Sequence, residues 1–167
     1  MMQVVARLHR HDEWLLHCFL RCRRSLLDRV MTAATRLGDP AIVIGFTLLL
    51  LAIGPTRAVG WKVAAMVTLS HVAVQLLKRT VNRPRPALPV GIEALLQAPD
   101  RFSFPSGHAA ASLSVALGLS AFVPTEIAPL VLVVGLVTGV SRCYLGLHYP
   151  GDVAAGWMLG WLAYLVV

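Results

Sequence analysis

The chain has 167 residues, of which 57% are hydrophobic and only 14% carry a formal charge. A water-soluble domain has about 25% charged residues, so this composition excludes one, together with disordered, collagen-like and low-complexity classes. Fifteen Lys and Arg against eight Asp and Glu leave a net charge of +7, which points to nucleic acid or an anionic membrane surface. The apolar runs decide for the membrane and against nucleic acid. The length holds one compact domain, and Cys18, Cys22 and Cys143 form no even disulfide framework.

In chain order, residues 1–36 come first. Leu15-Leu16, Phe19-Leu20, Leu26-Leu27 and Val30-Met31 recur at helical spacing, with Arg21, Arg23, Arg24, Arg29 and Arg36 between them. No uninterrupted apolar core precedes a small-residue cleavage site, so this is not a signal peptide. The pattern predicts a basic amphipathic helix lying in the headgroup layer, and a plain charged anchor accounts for it as well. Residues 37–167 form the transmembrane domain.

Five apolar stretches follow: Ala41–Ile53, Ala58–Leu77, Gly107–Val123, Ile127–Leu147 and Asp152–Val167. A spanning helix needs about 20 apolar residues, so the first is marginal and crosses only with its flanks. Asp39-Pro40 reads as an N-cap followed by proline at the first helical position, and Gly54-Pro55 as a stop. Pro124 and Pro129 mark a short connection between the third and fourth stretches, which predicts an antiparallel hairpin. The expected fold is all-α, an integral membrane bundle of about five transmembrane helices plus the interfacial N-terminal helix.

The remaining polar residues fall in three clusters. In Lys78-Arg79-Thr80-Val81-Asn82-Arg83-Pro84-Arg85-Pro86 the prolines favour extended backbone, and alternation puts Arg83 and Arg85 on one side. Taken alone, this segment is equally juxtamembrane snorkelling charge. In Phe104-Pro105-Ser106-Gly107-His108, Ser106 suits an N-cap, Gly107 permits close backbone approach, and first-turn amides without partners form an anion site beside His108. The third cluster is Ser141-Arg142, His148 and Asp152. Arg142 inside a span is costly and marks a functional site by default. His148 and Asp152 share a helix face, so a carboxylate accepting from Nδ1–H would leave Nε2 as a nucleophile.

Cations, two histidines, a carboxylate and a helix N-terminus suit a tetrahedral oxyanion such as phosphate. With only Asp152 in these clusters, a magnesium or two-metal site lacks ligands, and a zinc site would sit among repelling cations. No metal and no cofactor is expected.

The same residues carry a resemblance. Lys78 with Arg85-Pro86 fits K-x6-R-P, Pro105–His108 is P-S-G-H, and Ser141-Arg142, His148 and Asp152 fit S-R-x5-H-x3-D. The sequence resembles the type 2 phosphatidic acid phosphatase superfamily over residues 60–167. The resemblance implies a helical bundle with its site at one membrane face, His148 as the nucleophile that becomes a phosphohistidine, and Asp152 orienting it. It implies that His108 protonates the leaving group and then activates water, and that Lys78, Arg85, Arg142, Ser106 and the Gly107 backbone hold the phosphate. Substrates typical of such relatives are undecaprenyl diphosphate, phosphatidylglycerol phosphate, phosphatidic acid and lipid A phosphates, among which the motifs do not choose. A vanadate-dependent haloperoxidase is discounted because those are soluble. A non-catalytic phospholipid carrier that keeps the fold is the alternative, against which the intact His148–Asp152 pair argues.

The resemblance also implies a bacterial inner membrane and an extracytoplasmic site, whereas charge implies the opposite face. Discounting Lys78, Arg85 and Arg142, basic residues stand ten to two in favour of the site side, which the positive-inside rule places in the cytoplasm. The two agree only if the N-terminal helix crosses, at a cost of roughly 2.5–3.5 kcal/mol per central Arg. The expectation adopted is the extracytoplasmic site with the basic helix lying flat beside it.

Overall fold

The computed structural model describes residues 2–92, 94–98 and 100–167, with side chains from residue 9 onward. Among these residues the chain is all-α, with helices α1 (Met2–Arg21), α2 (Ser25–Arg36), α3 (Pro40–Ala52), α4 (Arg57–Val81), α5 (Gly107–Ser120), α6 (Ala128–Tyr144) and α7 (Pro150–Val166). A 3-10 turn at Gly54–Thr56 joins α3 to α4.

The single helix expected over residues 1–36 is two. The chain breaks after Arg21, and Arg24 adopts extended backbone. The Arg24 N–H donates to the Tyr144 hydroxyl at 3.0 Å, and that hydroxyl donates to Asp28 at 2.6 Å. A tyrosine of α6 therefore takes the place of an intrahelical bond, and α2 turns back to pack along α6. Leu16 and Leu20 of α1 are buried against Tyr149, with Leu88 and Ile92 beside them. Each apolar stretch predicted further on is a helix, although all but α4 are shorter than a bilayer core.

α5 has 14 residues and α6 and α7 have 17 each, which is about 21–26 Å at 1.5 Å per residue. Among the described residues, one continuous stretch, Gly54–Val81, is long and apolar enough to cross. α2 and α3 qualify only together, across a 52° bend. The outward faces are nonetheless apolar: Leu48, Trp61 and Leu130 are each at least 60% exposed.

α5 is the centre of the bundle and packs on α4, α6 and α7. Its sequence explains this, since Ala109, Ala110, Ser112, Ser114, Ala116 and Gly118 are all buried and small, and small faces let helix backbones approach. The Ser112 hydroxyl donates to the Gly135 carbonyl of α6 at 2.9 Å, and Ser114 bonds Ser70 of α4 at 3.1 Å. At Gly160 of α7, an added Cβ would lie 2.8 Å from the Ala110 carbonyl oxygen. The hairpin expected from Pro124 and Pro129 is the α5–α6 pair. This packing gathers the N-termini of α3, α5 and α7 and the C-termini of α4 and α6 at one end of the bundle.

Candidate active site

All three polar clusters meet at that end. α4 stops because Asn82 takes the left-handed conformation at φ 49°, one of the few non-glycine residues that does so readily. The chain then runs extended, and Pro84 bridges Phe102. Arg83 and Arg85 consequently flank the third cluster, Arg83 on Asp152 and Arg85 on His148. Gly146, at φ 75°, makes the turn after α6 in which Leu147 and His148 N–H groups both bond the Arg142 carbonyl. That turn aims the imidazole back into the bundle. Lys78, Arg85, Gly107, His108 and His148 line one cavity of roughly 430 Å³.

His148 is held differently from the sequence expectation. Its Nδ1 lies 2.6 Å from the Ser103 carbonyl oxygen and 3.7 Å from Asp152 Oδ2; the second distance is too long for a hydrogen bond. The direct Asp152 acceptor is thus corrected to a backbone carbonyl. Asp152 acts one step back: Oδ2 accepts from the Ser103 hydroxyl and from the Tyr149 N–H at 2.8 Å, and Oδ1 from Arg83 at 2.7 Å. A carbonyl only accepts, so Nδ1 must carry the proton, and in the neutral ring the lone pair is on Nε2. Nε2 lies 3.2 Å from Arg85 Nη1. Burial, with the charges of Arg142 and Arg85 against the opposing pull of Asp152, pushes the imidazole down to about 4. The ring is therefore neutral at pH 7 with its lone pair beside the cations.

The cations are balanced by carboxylates that the sequence reading left out. Asp100 Oδ2 accepts from Lys78 Nζ at 2.6 Å, and Oδ1 from Arg85 at 2.9 Å. Burial alone would raise the Asp100 carboxyl, but Lys78 and then Arg85 outweigh it and hold it below the ordinary carboxylate range. Asp39 does not cap α3 with its side chain; its Oδ1 sits 2.9 Å from His108 Nε2. The site thus holds more carboxylates than the single Asp152 counted in the motifs. Each is committed to a cation or an imidazole, and no group of three or more His, Cys, Asp or Glu that could hold a metal occurs among the described residues.

Two expected phosphate ligands lie behind the cavity wall. Ser106 is fully buried and caps α5, its hydroxyl accepting from Ala109 N–H at 3.4 Å. Arg142, only 3% exposed, donates from Nη1 to Thr35 at 2.7 Å, while its Nε is buried with no partner. An unpaired buried donor is costly, and an anion oxygen would relieve it. Sequence reasoning missed Arg83, Ser103, Asp39, Asp100 and Thr35. Arg83 carried a signal, because alternation placed it beside Arg85; the others come from loops and helix ends with no periodic pattern.

Residues 59–167 match the PAP2 superfamily. An undecaprenyl-diphosphatase of Sulfolobus acidocaldarius is 32% identical over 84% of this chain and 69% of its own. The decaprenylphosphoryl-5-phosphoribose phosphatase of Mycobacterium tuberculosis is 41% identical over 64% of this chain, which spans only 58% of that relative's length. Among solved structures, Aquifex aeolicus LpxE superposes with a TM-score of 0.80 at 27% identity, covering 91% of both chains. A transmembrane PAP2-type phosphatidylglycerolphosphate phosphatase from Bacillus subtilis gives 0.77 at 25% identity, covering 96% of this chain and 84% of its own. The chain belongs to the PAP2 superfamily. Within it, the chain is a membrane lipid phosphate phosphatase.

The geometry of His148 makes a direct prediction. In detergent micelles its ¹⁵N-labelled imidazole should stay neutral, protonated on Nδ1, from pH 8 down to about 5, with a midpoint near 4. A midpoint near the free-imidazole value of about 6.5 would contradict the buried, cation-flanked setting.

Proposed function

We propose that the enzyme transfers the phosphoryl group of a lipid phosphate to His148 and then to water. The observation that carries this is the neutral imidazole whose Nε2 lone pair faces a cavity walled by Lys78, Arg85 and His108. Lys78, Arg85 and the α5 amides at Gly107 would hold the non-bridging oxygens, and Arg142 behind the wall would add its positive charge. Nε2 attacks phosphorus, the bond from phosphorus to the lipid oxygen breaks, and His108 gives that oxygen a proton. The Asp39 carboxylate, 2.9 Å from Nε2, holds the His108 ring in place for this step. Water then attacks the phosphohistidine, His108 takes its proton, and phosphate leaves with His148 restored. Asp152 stabilises the developing imidazolium through Ser103 and across 3.7 Å.

The domain reading is a transmembrane unit of α3–α7, five spans, with α1 and α2 on the surface beside the site. Supporting it are the shared end of the bundle and the packing of α1 on Tyr149. Short α5 and α7 span with their flanking turns or in a locally thinned bilayer. The substrate class is the lipid phosphate common to the relatives, a monoester or a diphosphate.

Phosphate release from a panel of detergent-solubilised lipid phosphates tests the chemistry. His148→Ala should abolish turnover while the protein still elutes as a folded species, and Asp152→Asn should cost at least on the order of a hundredfold. Activity should survive EDTA. Near-normal release by purified His148→Ala would contradict the phosphohistidine, and a carrier function predicts no release by any variant.

The site is proposed to face away from the cytoplasm of the inner membrane. A single Cys at Gln97, exposed on the loop after α4, in a Cys-free background should react with an impermeant thiol reagent in intact cells. Reaction only after the inner membrane is broken would place the site in the cytoplasm.

A further inference from the structure

We propose that Asp12, on the N-terminal surface helix, is a positioning residue of the active site, so that α1 is part of the catalytic apparatus and more than an anchor. Its carboxylate joins two elements. Oδ1 accepts from the Gly151 N–H at 2.7 Å, a first-turn amide of α7 that has no partner within its helix. Oδ2 pairs with Arg83 Nη2 at 2.8 Å. Arg83 lies over the Tyr149 ring at 4.1 Å, and its Nη1 donates to Asp152. Asp152 takes the Ser103 hydroxyl, and the Ser103 carbonyl takes Nδ1 of His148.

Asp12 touches none of the cavity-lining cations, so it should act on the aim of the nucleophile and leave phosphate binding alone. Without Asp12, Arg83 keeps one carboxylate where it had two, and α7 loses the acceptor that fixes the turn from Tyr149 to Asp152. This inference rests on the phosphohistidine reading. Steady-state kinetics of the full-length protein should show kcat about tenfold lower for Asp12→Ala, with KM within twofold and the melting midpoint unchanged. Asp12→Asn, which can still accept from Gly151 but carries no charge, should fall in the same direction and serves if the alanine variant does not fold. In an Asp152→Asn background, Asp12→Ala should cost nothing further, because the link it supports is already cut. Unchanged kcat in both Asp12 variants, or a full additional loss in the Asp152→Asn background, would overturn the assignment. Loss of activity in Asp12→Ala with wild-type activity in His148→Ala would overturn the phosphohistidine reading itself.

A separate observation concerns the substrate. His71 and Gln75 are exposed on α4, hydrogen-bonded to each other at 3.3 Å, within a helix long and apolar enough to cross a membrane. Such side chains inside a span are expensive and face cavities or partners. These two line the catalytic cavity on a stretch of wall that also has Val43, Ile44, Val67, Thr68 and Val72. From Lys78, Gln75 lies about 4.5 Å and His71 about 10.5 Å along the helix axis toward the apolar interior. We infer that this pair donates hydrogen bonds to acyl-ester carbonyls of a glycerolipid phosphate, which follow the phosphate at that depth; a polyprenyl diphosphate has its second phosphoryl group at the shallower position and only hydrocarbon beyond it.

The test compares kcat/KM on dioleoyl phosphatidic acid with that on its dialkyl ether analogue, which lacks the carbonyls. The wild type should prefer the diester about tenfold, and the His71→Leu, Gln75→Leu double variant should show a ratio near one. Equal rates in the wild type, a preference retained by the variant, or release from a polyprenyl diphosphate but neither glycerolipid would overturn the inference. Release from no lipid at all would overturn the phosphatase reading on which it rests.

Discussion

Positive charges crowded at the edge of a membrane repel one another, and the architecture of this site follows from meeting that constraint. Lys78 and Arg85 share Asp100, Arg83 is held between Asp12 and Asp152, and His108 faces Asp39. The carboxylates arrive from α1, the start of α3, the loop after α4 and α7. No two neighbouring elements could supply them alone. The bundle geometry therefore serves charge balance as much as apolar packing. Small residues on α5 bring α4, α6 and α7 close enough for their ends to share one cavity.

His148 shows how the same constraint shapes reactivity. A charged imidazole is disfavoured by burial and by two neighbouring guanidiniums, so the ring is neutral when it meets the substrate. On the proposed phosphohistidine route the ring would become cationic, and the chain of Ser103, Asp152 and Arg83 is already oriented around it. The carbonyl at Nδ1 fixes the tautomer, while the carboxylate supplies charge from a short distance. Two functions often given to one residue are divided here between two.

Much of this was legible in the sequence. The five apolar helices, the Ser106 cap and the convergence of Lys78, Arg85, His108 and His148 follow from periodicity, proline placement and motif spacing, whereas α4 runs through Val81, past the Leu77 expected, because Asn82 stops it before the prolines do. Other parts were not. The break at Arg24 depends on Tyr144, 120 residues away, and no local pattern records such a partner. Asp39 looked like a cap because caps and side-chain acceptors draw on the same residue types, and only the position of His108 distinguishes them. Asp152 was placed directly on His148 because helical spacing brings the two near, whereas the chain leaving Arg85 delivers a carbonyl to the intervening position. Asp12 and Asp100 lie outside every motif, and their roles exist only in three dimensions.

Asp100 gives substrate binding an unusual character. Its carboxylate pairs with Lys78 and Arg85, the proposed phosphate ligands, and it is 41% exposed on the loop before α5. Binding a phosphate is then an exchange of one anion for another, and only the difference between the two contributes. Free inorganic phosphate offers nothing beyond charge and gains little from the exchange. A lipid phosphate adds the burial of its chain, which the carboxylate cannot match. After hydrolysis the chain has separated from the phosphate, and Asp100 is the anion nearest to reclaim the cations. In the proposed reaction the same carboxylate would balance the cations before the lipid arrives and after phosphate leaves.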